Sequence, residues 1–377
     1  NIMFILKPKR EAINKTGKLM RFPEKISTES IPRNDKKYKL ILLWNKYFGR
    51  PILEGYYKGN YVSNLCKPET CIFTENRLIA DDADAIIFHY YPSYFKKNDL
   101  PARKHDHQKF IAYVLEPPVN FLKHPNMNWV ADDFFDIYIT YHRDSDIRTP
   151  YFGWRKKYKS EINITNDKIF MEKVSKNFEE KKFAISQFVS NCHSYSGREK
   201  YVTELQKYIP VDVYGLCGPK KCTNRYDQRC YDMLNQYRFY LSFENSYCED
   251  YVTEKLFKIL EQNVIPIVMG SANYTEAAPP HSIINVADFK SPKHLAEHLN
   301  MLSSNKDEYV KYLTWKMRYS LVRKGGMLKT GMCKLCKLLH NETFMKTKSL
   351  RNMNQLWSVQ TQCDLDYNKH NTFLKER

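Results

Sequence analysis

One stretch limits what this chain can fold into more than any other. Residues 239–270 read FYLSFENSYCEDYVTEKLFKILEQNVIPIVMG. An apolar run, Phe239 to Phe243, leads into a polar loop, Glu244 to Asp250. A helical pattern follows with apolar Val252, Leu256, Phe257, Ile259 and Leu260, and a second apolar run, Val264 to Met269, stops at Gly270. Strand, loop, helix and strand in that order make the crossover unit of a parallel α/β sheet. Such sheets bind ligands outside the carboxyl ends of their strands. There the loop and first helical turn crowd Glu244, Asn245, Tyr251, Thr253, Glu254 and Lys255 together.

The same alternation recurs on both sides. Strand patterns at Leu40–Trp44, Ala85–His89, Phe110–Leu115 and Ile137–Tyr141 predict a first α/β domain over 38–160. Buried parallel strands read as such continuous apolar runs. A strand over Phe183–Asn191 and a helix with the stripe Tyr201, Val202, Leu205 and Ile209 open a second domain over 182–344. Between them, 161–181 is Lys- and Glu-rich without a clear apolar period and reads as an interdomain linker. Residues 1–37 are polar and read as stem or linker. Residues 345–377 form a polar tail, either packed back on the first domain or mobile.

At 377 residues with 42% hydrophobic and 14% aromatic composition, the chain can fill two cores. The net charge of +18 is spread along the chain, without an arginine-rich tail or RNA-binding signature, so it reads as a solvated basic surface and not a nucleic-acid binder. Ten cysteines are too many for a typical cytosolic enzyme. Sequons at Asn14, Asn163, Asn273 and Asn341 point the same way, to a secretory lumen. Cys333-x-x-Cys336 has the form of half a zinc site, but no histidine pair completes it, so disulfides are the better reading and no metal ligand set is assigned. No apolar run reaches the roughly 20 residues that span a bilayer.

FYLSFENS followed by DYVTEKLF resembles the signature of the α1,3-fucosyltransferases, glycosyltransferase family 10. TYHRDSDIRTPYFGW at 140–154 and LLWNKYFGRP at 42–51 extend the likeness. The resemblance implies two facing Rossmann-like domains (the GT-B architecture), GDP-fucose as donor, and an N-acetylglucosamine 3-hydroxyl as acceptor, with inversion at the fucose anomeric carbon. It implies no cofactor or metal required for catalysis, and leaves divalent-metal stimulation open. Animal members are type II Golgi proteins, so the expectation here is a Golgi-lumenal part whose membrane anchor and stem are missing. NVIPIVMG, the APPHS turn and CKLCKLLH look most like invertebrate core enzymes. These modify the chitobiose stem of N-glycans, with the proximal N-acetylglucosamine the first choice, the distal one second and Lewis-type antennal transfer third. A silent glycan-binding protein on the same fold is the alternative of another class.

Site roles follow residue by residue. Glu116 ends FIAYVLEPP, and position alone makes it a loop acid; the resemblance makes it the general base that takes the acceptor proton. Val189, Ser190 and Asn191, then Arg198 seven residues on, match the donor-binding pattern, with Arg198 at a helix start as the pyrophosphate ligand. Tyr151 aligns with a tyrosine near the donor. Lys255 would neutralise charge on the leaving GDP, helped by the helix N-terminus after Asp250. Tyr251 and Glu254 would hold sugar hydroxyls, and Asn245 and Tyr240 would shape the pocket, with a core position open for Tyr240. Arg50 stands where relatives have an acceptor-side glutamine. Arg143, Asp144 and Asp146 are left between a site role and a salt-bridged loop. The resemblance also implies that Cys333 and Cys336 bridge back to Cys66 and Cys71. The pairing of Cys192, Cys217, Cys222, Cys230, Cys248 and Cys363 is not deducible from sequence.

Overall fold

The computed structural model describes residues 38–54, 61–62, 65–68, 70–124, 127, 129–131, 133–221, 232–346 and 356–365. The proposed stem at 1–37, the Asn14 sequon, Cys222 and Cys230 lie outside these. Two sheets dominate. The first contains β1 (Lys39–Leu43), β2 (Tyr61–Val62), β3 (Cys71–Thr74), β4 (Ala85–His89), β5 (Lys109–Val114), β6 (Ile137–Thr140) and β7 (Ile147–Arg148), in the order β2-β3-β1-β4-β5-β6-β7. All its pairs are parallel except the edge pair β2–β3. β4, β5 and β6 are buried at every position, as their unbroken apolar runs require.

The second sheet holds β9 (Phe183–Phe188), β10 (Val211–Tyr214), β11 (Tyr237–Phe243), β12 (Ile265–Met269) and β13 (Ile284–Asn285), all parallel, in the order β10-β9-β11-β12-β13. Its strand order is that of a doubly wound fold, and it puts the topological switch between β9 and β11. Helix α2 (Arg198–Leu205) follows β9, and α3 (Glu254–Leu260) joins β11 to β12. A small antiparallel pair, β8 (Gly153–Lys156) with β14 (Tyr319–Val322), lies where the chain passes between the two halves.

Two expectations about organisation change. The stretch read as a linker is a 17-residue helix, α1 (Ile164–Glu180), capped by the Asn163 side chain. Its buried Val174 and Phe178, with Phe170 and Met171 beside them, join the core of the second domain. That stripe is only one or two residues wide per turn, so the charged majority hid its period. The second domain also ends earlier than expected. The helix Lys324–Leu339 buries Leu328, Met332, Leu335 and Leu339 in the core of the first domain. Bridges Cys66–Cys333 and Cys71–Cys336 fix it there. Cys71 and Cys336 lie beside His340 at metal-ligand spacing, but their sulfurs are spent on one another.

The tail segment 356–365 packs back as well, with Trp357 buried in that same core. The two halves share apolar surface: Val252, Leu256, Leu260 and Val268 of the second belong to the cluster built on the first. Among the described residues no helix is long and apolar enough to cross a membrane.

Phe178 packs on Tyr309, with the Arg238 guanidinium over its ring. Phe178→Ala should therefore lower stability by about 3 kcal/mol, read as a fall in the denaturant midpoint. A shift near zero would return α1 to the status of a linker.

Candidate active site

The strand ends at the second switch point are tied to one another. Glu244, the residue after β11, is fully buried. Its carboxylate accepts from the Thr253 backbone N–H at 2.8 Å, from Thr253 Oγ1 at 3.0 Å and from Lys255 Nζ at 2.9 Å. A buried carboxylate without such donors would cost several kcal/mol. Thr253 also caps α3. Its hydroxyl accepts from Lys255 Nζ at 2.8 Å. Burial pulls the Lys255 pKa down, but Glu244 and Glu254 outweigh it, and the net direction is up: the ammonium stays charged. In the loop after β9, Ser196 donates its Oγ–H to the Glu244 carbonyl at 2.7 Å and its N–H to that of Asn245 at 3.2 Å. Gly197, with φ +61°, makes the turn that starts α2.

Arg198 is buried at that helix start. It donates to the carbonyls of Phe243 at 2.9 Å and Asn191 at 3.1 Å, and contacts Glu199 at 3.4 Å. With five N–H groups on a guanidinium, one on each terminal nitrogen is left for an anion. Arg198 and Lys255 are near enough to repel, and their two cations sit at the adjoining ends of β9 and β11. Asn245 Oδ1 is buried with no hydrogen-bond partner among the described residues, an acceptor held ready for a ligand donor. Ser190 and Asn191 are exposed. Val189 is a wall residue whose amide and carbonyl bond Tyr214 and Cys217. Tyr240 takes the core alternative. It packs with Leu234, Ile259 and Val264, and its hydroxyl accepts from the Phe188 N–H, because strand alternation turns it away from the strand end. α3 runs only seven residues, so little dipole stands behind its N-terminus.

On the first domain, Glu116 follows β5. Asn120, four residues on, donates to Oε2 at 2.8 Å, and Tyr151 places its hydroxyl 3.5 Å from Oε1 while donating to the Leu115 carbonyl at 2.8 Å. Tyr151, expected at the donor, therefore sits beside Glu116. Tyr251 packs edge-on to Tyr151 and tilted against Tyr141. Burial first, and then the Glu116 charge, push the hydroxyl pKa values of Tyr141, Tyr151 and Tyr251 well above the ordinary range, so the tyrosines around the carboxylate remain neutral donors. Tyr47 belongs to the same set, hydrogen-bonded to Tyr151. Arg50 shares its loop but is exposed, pairing with Glu54 at 3.6 Å. Sequence reading missed Asn120 and Tyr47 altogether. The only local sign of Asn120 was its spacing from Glu116 across the Pro-Pro turn.

The loop Arg143–Asp146 is salt-bridged, and it joins the domains. Arg143 donates to both oxygens of Asp250 through Nε at 2.9 Å and Nη2 at 2.7 Å, and its backbone N–H adds a third bond at 2.9 Å. Asp146 accepts from the Tyr138 N–H at 2.8 Å, a bond inside the first domain. Asp250 takes a left-handed φ of 57°, which sets the entry to Tyr251. Trp154 Nε1 donates to the Glu276 carbonyl at 2.9 Å on the same seam. The sequons at Asn163, Asn273 and Asn341 are exposed. Asn163 and Asn273 also serve as helix caps through Oδ1, which leaves that role open to a modified side chain.

Burial works to raise the Asp250 pKa, but the Arg143 bonds and the neighbouring guanidinia win, and the net direction is down. A depressed carboxylate contributes stability that is present above its unfolded pKa of about 4 and is lost as pH falls below it. Arg143→Ala should lower stability at neutral pH, modestly, because Arg143 is 40% exposed and Arg148 remains 3.7 Å from Asp250. The difference between variant and unaltered chain should shrink as pH drops through 4. A pH-independent difference in the unfolding midpoint would remove the charge from this explanation.

The chain is similar to known proteins over most of its length. The profile described as "Glycosyltransferase family 10 (fucosyltransferase) C-term" matches residues 178–357, and "Fucosyltransferase, N-terminal" matches 36–152. The chain is 35% identical over 342 residues to glycoprotein 3-alpha-L-fucosyltransferase A of Drosophila melanogaster, covering 86% of this chain and 61% of that protein. It is 34% identical over 348 residues to alpha-(1,3)-fucosyltransferase C of the same organism, covering 85% of this chain and 77% of that protein. A crystal structure titled as an alpha1,3-fucosyltransferase superposes with a TM-score of 0.47 at 18% identity, over 87% of this chain and 96% of that one. With both profiles matched and the two-Rossmann GT-B architecture in place, the chain belongs to the glycosyltransferase family 10 fucosyltransferases.

Proposed function

We propose that the protein moves L-fucose from GDP-fucose to the 3-hydroxyl of N-acetylglucosamine in the chitobiose core of N-glycans, with the proximal residue the first choice and the distal one second. The observation that carries the reading is one carboxylate, Glu116, held by Asn120 on the first domain, with two cations, Arg198 and Lys255, on the second; Tyr251 lies beside the Glu116 charge and also beside Glu244, to which Lys255 is bonded. The acceptor oxygen attacks the anomeric carbon in line with the leaving diphosphate. Its proton passes to Glu116 as the C–O bond to the acceptor forms. The C–O bond to GDP breaks, and the two cations offset the charge that builds on the departing phosphate. One displacement inverts the anomeric centre. Tyr251, Glu254 and Asn245 line the donor side, and Arg50 lies at the acceptor rim.

The Drosophila relative's name supports a glycoprotein acceptor. The NVIPIVMG, APPHS and CKLCKLLH segments support the core type. We place the protein in the Golgi lumen, anchored in the membrane as a type II protein. Four disulfides among the described residues support an oxidising compartment.

Incubation with GDP-fucose and a defined N-glycan, followed by mass spectrometry, should locate fucose on the chitobiose stem. Fucose on an antennal N-acetylglucosamine would replace the core assignment with the Lewis type, and glycan binding without transfer would favour a lectin. Glu116→Gln should lower turnover about 10²–10⁴-fold with GDP affinity kept. Near-normal turnover would remove Glu116 as base. Arg198→Ala and Lys255→Ala should weaken GDP binding and turnover together; unchanged kinetics would take both away from the phosphates. Lys255→Ala should also lower stability, because it strips a donor from the buried Glu244.

A further inference from the structure

The donor loop is gripped from a side that the reaction does not explain. Cys248 is bonded to Cys363 in the tail. Two backbone bonds run alongside: the Glu249 N–H donates to the Gln362 carbonyl and the Asp364 N–H to the Tyr247 carbonyl, each at 2.8 Å. The tail thus adds a short antiparallel rung to residues 247–249, next to Asp250 and Tyr251. Trp357 is buried and stands edge-on to Tyr141 with ring centroids 5.3 Å apart. Tyr141 in turn lies 5.2 Å from Tyr251. The turn Val359–Gln362 packs on Pro118–Lys123, the segment that supplies Asn120 to Glu116. One ten-residue segment therefore touches the donor loop and the turn that holds the base. The family profile matches to residue 357, so Cys363 lies beyond the matched residues.

We propose that residues 356–365 are a positioning strap for the transfer site: Trp357 sets Tyr251 through Tyr141, and the Cys248–Cys363 bond holds the loop in register for GDP. The inference rests on the donor-site reading given above. In this reading Trp357 and Cys363 are positioning residues and not substrate contacts. They act by narrowing the conformations open to the loop, so that less ordering is left for the nucleotide to bring about. Arg143 bonds Asp250 from the first domain while the tail bonds Cys248 and Glu249, so the loop is held from the first domain and from the tail at once.

GDP binding by calorimetry, with KM for GDP-fucose and kcat measured separately, tests this on the full-length protein. Trp357→Ala and the double substitution Cys248→Ser/Cys363→Ser should each weaken GDP and raise KM for GDP-fucose by about tenfold. KM for the acceptor should move far less, and Trp357→Phe should restore most of the loss. Thermal unfolding of each variant, with assays kept well below its midpoint, separates loosened positioning from loss of folded protein. If folded variants bind GDP as tightly as the unaltered chain, the strap has no positioning role and the proposal is wrong. If the unaltered chain itself binds no GDP, the donor-site reading falls and the strap proposal with it.

Discussion

The buried carboxylate of Glu244 holds the donor half together. It closes β11, and among the described residues the donors to it come from the start of the next helix: the Thr253 amide and hydroxyl and the Lys255 ammonium. An ionised group with no exposure survives only with donors of this kind. That requirement ties the strand end to the helix start at a set distance. Ser196 bonds the Glu244 carbonyl and so brings the β9 loop and Arg198 into the same arrangement. The local text ENS followed by TEK thus records a folding constraint as much as a chemical one. Lys255 neutralises Glu244 in the folded chain, beside the role in the transfer proposed for it.

Two switch points, one per sheet, decide where chemistry can occur. β9 and β11 diverge on one side, and β1 and β4 on the other. The seam between the domains is apolar where Leu256, Leu260 and Val268 join the first core, and polar at its edge where Arg143 meets Asp250. A shared core resists the free hinge motion expected of domains with small polar interfaces. The disulfides at Cys333 and Cys336 and the tail at Cys363 carry the chain back to the first domain and to the donor loop after the second sheet is complete.

Much of this was legible in the sequence because it is local. Strands such as Ala85–His89 are continuous apolar runs, and the crossover at 239–270 states its own topology. What was not legible depends on contacts far apart along the chain. α1 hides its thin stripe of Phe170, Met171, Val174 and Phe178 among charges, and only the facing Tyr309 explains it. Tyr240 stood open between pocket and core until the strand's alternation set its face. Arg143 could be read as a surface charge because its partner, Asp250, is 107 residues away. Arg198 was expected as a phosphate ligand from its place at a helix start, but the two carbonyls that also hold it come from the loop before it and from the distant end of β11.

The most direct measurement is a crystal structure of the protein with GDP and an N-glycan acceptor bound. It should place the diphosphate against Arg198 and Lys255, and the acceptor 3-hydroxyl within hydrogen-bond reach, about 2.6–3.2 Å, of the Glu116 carboxylate. A diphosphate bound away from both cations, or an acceptor whose hydroxyl approaches some group other than Glu116, would contradict the division of the site into a donor half on the second domain and a base on the first.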